Sequence, residues 1–293
     1  MKERNLSGHL MAIFCVIVWG STFVVSKSLL THMQPIQLML IRFAIAYMAM
    51  WIIYPKWYFR LKEEWRFLLL GLMGNTLYAW TENTALTLTL VSNVSILVST
   101  TPIMTALLVA IFYKDERLRR QQIFGFMMAF VGMVFVVYNG VVTLKLNPAG
   151  DILALLASLI WAIYGLLLRR WSDEYNSALM TRKMMFYGVL TTLPIFLMNK
   201  EPLHFLSAPA WENVFKLLYL GIVASAVCFL LWNMAIRSIG VLKTSLYIYS
   251  IPLVTLIISV ILLDENITLM GIIGMLLIVT GMLLGTRQQK NKK

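Results

Sequence analysis

Charged residues are scarce in this 293-residue chain. They make up 13% of the sequence, whereas 60% of the residues are hydrophobic and the mean hydropathy is +0.78. Soluble globular domains carry about 25% charged residues. The shortage of charge therefore excludes an ordinary soluble domain and indicates a membrane protein.

Cysteine, histidine and phosphate-binding motifs are also scarce or missing. The two cysteines, Cys15 and Cys228, fall inside apolar stretches, and the three histidines are scattered. This spacing is not typical of a metal site or a disulfide framework, so we predict no metal and no cofactor. The sequence has no G-x-x-x-x-G-K-[ST] phosphate loop, which excludes an ATP motor of that type within this chain. No nucleophile–base arrangement stands out, and we do not expect an enzyme.

Uncharged runs long enough to cross a bilayer recur along the chain. About 20 apolar residues cross the hydrocarbon core as a helix. The first run follows Lys2 and Arg4, as in a signal peptide, but it is longer than a signal core and we expect it to be the first span. We predict an all-α polytopic membrane protein with ten transmembrane helices. They are expected near residues 9–29, 35–54, 66–86, 92–113, 121–138, 150–168, 179–198, 214–236, 242–263 and 266–285.

Basic residues outnumber acidic ones by 25 to 13, which gives a formal net charge of +12. Nucleic-acid binding proteins are also basic, but here the placement of the charge indicates topology. Of the 25 basic residues, 20 lie in connections on one side of the predicted spans and 3 on the other; Lys27 and Arg42 lie within or beside spans. By the positive-inside rule, both termini are expected in the cytoplasm and the chain in the plasma (inner) membrane, with no nucleic-acid partner.

The sequence contains an internal repeat. Matching positions recur in order at offsets of 142 to 150 residues, and they include Gly8/Gly150, Trp19/Trp161, 71–85/221–235 and Pro102/Pro252. Each copy holds five predicted helices, so the second copy enters the membrane from the opposite side. We predict two inverted five-helix repeats, 1–145 and 146–293. Inverted repeats are typical of secondary transporters, which expose a site between the halves to each side of the membrane in turn.

Four stretches carry a resemblance to a known family. They are IVWGSTF (17–23), IRF (41–43), SNVSILVSTTPIMTALLVAIFYKDERL (92–118) and LKTSLYIYSIPLVTLIISVILLDENIT (242–268). Over nearly its whole length the chain resembles the ten-helix EamA family of the drug/metabolite transporter superfamily. The resemblance implies two interlocked five-helix halves and the movement of small metabolites or drugs, often outward. It names no substrate, because members carry very different ones. The chain departs from the family pattern at IWAIYG (160–165) and at Glu82.

Glu82 is the only charged residue between positions 67 and 113. Ionisable side chains within membrane spans almost always face the bundle interior or a water-filled cavity. On a regular helix Asn75, Tyr78 and Glu82 share one face, which predicts a polar stripe toward a central cavity. A carboxylate there suits an amine or cationic substrate, or a coupling proton. In the alternative, Glu82 lies about one turn from the outer end and reaches interfacial water.

Other polar and aromatic residues are candidates for the same pathway. Arg42 is a possible partner of Glu82, although an arginine at this depth also snorkels to the surface. Pro102 and Pro252 are predicted hinges because proline removes a backbone hydrogen bond, and the hydroxyls of residues 99–101 are placed to satisfy the freed carbonyls. Hydroxyl and aromatic side chains on matched faces predict a pocket for a small amphipathic solute, with ordinary helix packing as the alternative. These candidates are Trp19, Thr22, Ser99, Trp161, Tyr164 and Tyr249.

Together these features predict a secondary-active transporter that works by alternating access. The expected substrate is a small organic metabolite that bears an amine, such as an amino acid or a cationic drug, with export as the expected direction and protons as possible coupling ions. Small-residue faces at Gly125-x-x-x-Ala129 and Gly281-x-x-x-Gly285 are expected to pack within the chain, giving a monomer or weak homodimer in the lipid bilayer. The alternatives are an intramembrane enzyme, which lacks an evident nucleophile, and a receptor or scaffold, for which the short loops leave little surface.

Overall fold

A computed structural model of the protein describes residues 2–113, 120–138, 147–198, 211–254, 257 and 268–286. These residues form helices and short connections, with no strand among them. In chain order the α-helices are α1 (Lys2–Leu29), α2 (Pro35–Ile53), α3 (Leu61–Gly71), α4 (Tyr78–Leu88), α5 (Val91–Val98), α6 (Thr101–Phe112), α7 (Arg120–Tyr138), α8 (Pro148–Trp171), α9 (Ser177–Met198), α10 (Trp211–Leu218), α11 (Cys228–Ile239), α12 (Val241–Leu246) and α13 (Leu269–Thr286).

The predicted all-α polytopic membrane fold is confirmed. Within the described ranges, seven helices are long and apolar enough to cross a membrane, judged by length and composition. They are Leu6–Leu29, Pro35–Ile53, Asn93–Phe112, Arg120–Tyr138, Pro148–Trp171, Trp211–Ile239 and Leu269–Thr286. The ten-span arrangement and the division into two inverted repeats stay predictions. The end of the predicted span 242–263 lies outside the described residues.

Two of the long helices contain π-helical segments. Leu72–Leu77 joins α3 to α4, and Tyr219–Val227 joins α10 to α11. A π-helical turn inserts backbone into the helix and changes the face that the following residues present; such turns are frequent at functional sites. The predicted repeat offset of 150 relates residues 72–77 to 222–227, inside the second segment. Both segments lead into helices that carry side chains of the site described below.

Both predicted hinge prolines directly follow a departure from α-helical geometry. α5 ends at Val98, and Pro102 lies in the first turn of α6. The Thr101 hydroxyl donates a hydrogen bond of 2.7 Å to the carbonyl of Val98, the group that the missing N–H of Pro102 would otherwise have bonded. Pro252 follows a 3₁₀ turn at Tyr247–Ser250. The bends are thus part of the fold, whereas a hinge function stays a prediction.

α7 and α13 pack closely through glycines. A methyl group added at Gly132 would lie 2.6 Å from the carbonyl oxygen of Gly274 and 2.7 Å from the backbone nitrogen of Ile278. At Gly125 it would lie 2.6 Å from the carbonyl oxygen of Gly281. The expectation that these small-residue faces pack within the chain is confirmed. A monomer or weak homodimer stays a prediction.

Candidate functional site

A small cavity lies among α1, α2, α4, α8 and α11, next to the α5–α6 break. Its volume of about 40 Å³ is room for about three water molecules at 10–15 Å³ each. Binding sites for small molecules measure about 300–1,000 Å³, so the cavity is too small in this conformation to hold such a molecule. The lining residues are Trp19, Thr22, Phe23, Arg42, Tyr78, Glu82, Val98, Thr101, Trp161, Phe229, Ile248 and Ile251.

Glu82 lies on the wall of this cavity and not on the outer surface. The residue is 9% exposed, and the hydroxyl of Tyr78 donates a hydrogen bond of 2.5 Å to its Oε1. Tyr78 is the first residue of α4, directly after the π-helical segment Leu72–Leu77. The segment therefore leads straight into the turn that holds the carboxylate and its hydroxyl partner.

Arg42 faces the same cavity from α2 and is buried, so its guanidinium does not snorkel to the surface. Its Nε donates a hydrogen bond of 2.5 Å to the hydroxyl of Ser225, which lies in the second π-helical segment. Across the described part of the chain, neither Arg42 nor Glu82 has an ion-pair partner within 4.0 Å. The direct pair between them, considered from the sequence, is not formed in this conformation. The cavity thus presents one carboxylate and one guanidinium, each held by a hydroxyl.

Aromatic rings form a continuous cluster against the cavity. The ring of Trp161 lies 4.6 Å from Tyr78, 5.5 Å from Trp19 and 5.4 Å from Phe229, measured between centroids. Trp232 extends the cluster 4.9 Å from Trp19. The Trp19 Nε1 donates 3.0 Å to the carbonyl of Ala224, which satisfies its only polar group. Such a wall accepts an apolar side chain or the face-on approach of a cation.

Six of the ten candidate pathway residues line the cavity: Trp19, Thr22, Arg42, Tyr78, Glu82 and Trp161.

Asn75 does not join Tyr78 and Glu82 on one face. Its Nδ2 donates 3.1 Å to the carbonyl of Met184 on α9, and its side chain lies against Gly188. The expected stripe assumed a regular helix, but residues 72–77 are π-helical, and this changes the direction in which Asn75 points relative to the turn that follows.

Three further candidates lie elsewhere in the core. Tyr164 lies behind Trp161, at a ring distance of 5.1 Å, and donates 2.6 Å to Asn233 Oδ1. Tyr249 packs beside Phe130 in a separate cluster with α7 and α13. Ser99 is buried in the α5–α6 break and is not among the lining residues.

Six lining residues were not predicted from the sequence: Phe23, Val98, Thr101, Phe229, Ile248 and Ile251. The repeat offset of 150 gave no signal for Phe229, since it relates Phe229 to Ala79, which does not line the cavity. The aliphatic residues carry no sequence signal that separates them from ordinary core. Among the described residues, no group of three His, Cys, Asp or Glu side chains is placed to hold a metal ion.

Comparison with known proteins identifies the family of this chain. The EamA-like transporter family matches residues 6–138 and 148–287. The chain is 27% identical to the uncharacterized transporter YyaM of Bacillus subtilis (strain 168), over 97% of this chain and 94% of that one. It is also 27% identical to an uncharacterized transporter of Archaeoglobus fulgidus, over 97% and 99% of the two chains.

Two further matches are more distant. A probable amino-acid metabolite efflux pump of Escherichia coli (strain K12) is 23% identical, over 93% of this chain and 92% of the pump. One protein of known crystal structure superposes with a TM-score of 0.76 at 19% identity, covering 96% of this chain and 97% of that chain; at that identity the likeness concerns the fold alone. The resemblance noted in the sequence is confirmed, and the chain belongs to the EamA-like transporter family.

Proposed function

We propose that this membrane transporter is secondary-active and carries a small organic solute that bears an amine, with the cavity around Glu82 as its binding site. The observation that carries the proposal is a buried carboxylate that no described cation approaches within 4.0 Å. A charge in the membrane interior is costly unless it is paired. A substrate ammonium group supplies the missing partner.

The remaining groups of the cavity are chemically complementary to an amino acid. Its carboxylate would pair with Arg42, its ammonium group with Glu82, and an apolar side chain would lie against Trp19 and Trp161. The printed name of the Escherichia coli relative, a probable amino-acid metabolite efflux pump, supports the same substrate class. The runner-up substrate, a cationic drug, would use Glu82 and the aromatic wall but give Arg42 no counter-charge.

Flux into proteoliposomes tests the proposal and separates the two substrate classes. We expect purified protein to accumulate labelled amino acids or organic amines, with a rate that responds to an imposed pH gradient if protons are coupled. Arg42→Gln should abolish amino-acid flux and spare flux of a monovalent organic cation. Absence of flux for all amines and amino acids, in protein that is folded and inserted, would contradict the proposal.

Two inverted units, 1–145 and 146–293, would supply the alternating access. The two separately matched ranges, 6–138 and 148–287, and the recurrence of π-helical segments near the repeat offset support this division. The cavity takes side chains from both units, as expected for a site between halves. The small volume of the cavity, about 40 Å³, supports assigning this conformation to a state between inward and outward opening. Export is the direction that we propose.

Pro102→Ala should slow transport several-fold without lowering expression. Alanine restores an N–H that competes with the Thr101 hydroxyl for the carbonyl of Val98, which favours a straighter helix beside the cavity. Pro194→Ala is the matched control, because Pro194 lies inside α9 and is exposed. Equal transport rates in both variants and the parent would reduce Pro102 to a tolerated bend; the same comparison applies to Pro252→Ala.

Both termini are proposed to face the cytoplasm, and cysteine labelling in intact cells checks this orientation. The native Cys15 and Cys228 are fully buried and should not react with the label. A cysteine placed at His32, which is exposed between α1 and α2, should react with an impermeant maleimide. A cysteine placed at Lys62, which is exposed at the start of α3, should be protected until the cells are permeabilised. The reverse labelling pattern would show that both termini face the outside of the cell.

A further inference from the structure

A second pocket, of about 320 Å³, lies where α2 ends and where α3 and α9 begin. It shares no lining residue with the cavity around Glu82 and falls within the volume range of small-molecule sites. Its walls are mostly aromatic: Tyr47, Trp51, Trp57, Tyr58, Phe59, Phe186 and Tyr187 line it together with Glu64, Arg182 and Lys183.

Arg182 is the unmatched charge of this pocket. The residue is 2% exposed, and its two terminal nitrogens donate 2.6 Å hydrogen bonds to the carbonyls of Tyr54 and Lys56. Its guanidinium carbon lies 4.0 Å from the ring centroid of Trp51. No carboxylate in the described ranges comes within 4.0 Å of it. A guanidinium has five N–H donors, so two backbone acceptors leave donors for an anion.

The other two charged residues that line the pocket, Glu64 and Lys183, are matched to each other. Lys183 pairs with Glu64 at 2.7 Å, and the hydroxyl of Tyr187 donates 2.7 Å to the same carboxylate. Glu63, in the first turn of α3, pairs with Arg60 just before the helix at 3.3 Å. Burial and its hydrogen bond to Glu63 raise the pKa of the Tyr58 hydroxyl to about 12, so that group stays neutral. The pocket therefore carries an excess positive charge.

The mouth of the pocket has the composition of a membrane–water interface. Trp57 and Phe59 line the pocket and are also 81% and 59% exposed, and Leu61 and Trp65 beyond them are 79% and 51% exposed. Lys56, Arg60 and Lys62 alternate with these residues. Exposed aromatic and basic side chains in one short segment are typical of the headgroup level of a bilayer, on the side where basic pockets meet anionic lipid.

We propose that this pocket binds an anionic phospholipid. The phosphate would meet the free donors of Arg182 close to Lys56, and the start of an acyl chain would lie along Tyr47, Trp51 and Phe186. A soluble anion would match the charge alone, whereas a lipid also covers the aromatic walls. Because the walls come from α2 and α9, the bound lipid would join the two units proposed above.

Native mass spectrometry of the detergent-purified protein tests the proposal by titration with phosphatidylglycerol, phosphatidylcholine and the soluble glycerol 3-phosphate. We expect phosphatidylglycerol to bind at least about fivefold more tightly than phosphatidylcholine, the ratio equal to about 1 kcal/mol for one basic residue. Arg182→Gln should remove most of that preference, and Trp57→Ala should weaken the binding of both lipids several-fold, because the ring lines the pocket without carrying charge. Lys62→Ala is the matched control, because Lys62 is exposed on the same segment but does not line the pocket.

Equal binding of the two lipids would overturn the proposal. An equal loss of lipid binding with Lys62→Ala would also overturn it, because general surface charge would then explain the binding. Competition by glycerol 3-phosphate at the same concentration as the lipid would overturn it too, because the acyl chain would then contribute nothing. If Arg182→Gln fails to fold, Trp57→Ala decides the outcome, because that exposed ring lies outside the core.

Discussion

Glu82→Gln is expected to reduce transport of an amine-bearing solute by about thirtyfold or more, in protein that still folds and inserts. Removing one partner of a buried charge pair costs about 2 kcal/mol or more, which corresponds to that ratio. Glutamine has nearly the same size and keeps an oxygen that accepts the hydrogen bond from Tyr78. The fold should therefore tolerate the change, while the ammonium group of the substrate loses its counter-charge.

The pH profile of the same variant tests whether Glu82 also carries a coupling proton. If it does, parental flux changes as the carboxyl titrates, and the glutamine variant, which has no titrating group there, should give a flat profile. The measurement is proteoliposome flux over a series of pH values. Glu212→Gln is the matched control, since the side chain of Glu212 is 74% exposed and pairs with Lys216 on the same helix.

Each other outcome for Glu82→Gln has a distinct meaning. Lost affinity with an intact pH response would limit Glu82 to substrate binding. Poor expression would make the carboxylate a structural group. Flux at the parental rate with the parental pH profile would contradict its role in transport altogether.

Gly132→Leu is expected to prevent α7 and α13 from packing and to lower the yield of folded protein sharply. Even a methyl group at this position would lie 2.6 Å from the carbonyl oxygen of Gly274. That atom belongs to backbone and cannot rotate away, so the helices must separate. Overpacking a well-packed core costs about 1–3 kcal/mol, and leucine adds three more carbons to the same contact.

The measurement is thermal unfolding in detergent together with size-exclusion chromatography. Val131→Leu is the control, because Val131 directly precedes Gly132 on α7 and is 41% exposed. It should melt like the parent. Parental stability of Gly132→Leu accompanied by loss of a dimer would show that the glycine face joins two copies, contrary to the packing described here.

Hydropathy and charge, taken along the chain, were enough for the membrane class and the helical fold. The cavity-lining residues that sequence reasoning found include three that stand out along the chain. Glu82 is a lone charge in an apolar stretch, and Trp19 and Trp161 are large aromatics at repeat-related positions. These features are visible without a structure. The cost of a charge in a bilayer and the recurrence of a tryptophan at the repeat offset can both be read from the sequence, whatever the neighbouring helices are.

Asn75 and Tyr249 show where that reasoning stops. Asn75 lies seven residues before Glu82, and a regular helix would place both on one face, but the π-helical segment Leu72–Leu77 turns Asn75 toward α9. Tyr249 resembles the other pathway aromatics in sequence, yet it packs with Phe130 in the cluster beside α7 and α13. Neither the extra backbone of a π turn nor the choice of packing partner follows from residue spacing.

The sequence by itself thus determined that this protein folds in a membrane, that its architecture is helical and that a lone carboxylate lies within an apolar stretch, because each follows from the transfer of side chains and backbone into lipid. Only the tertiary structure decided which side chains share the cavity, that Arg42 bonds Ser225 instead of Glu82, and that a second, positively charged pocket lies beside α9. Those outcomes depend on helix register and on contacts between residues more than a hundred positions apart, which no local pattern encodes.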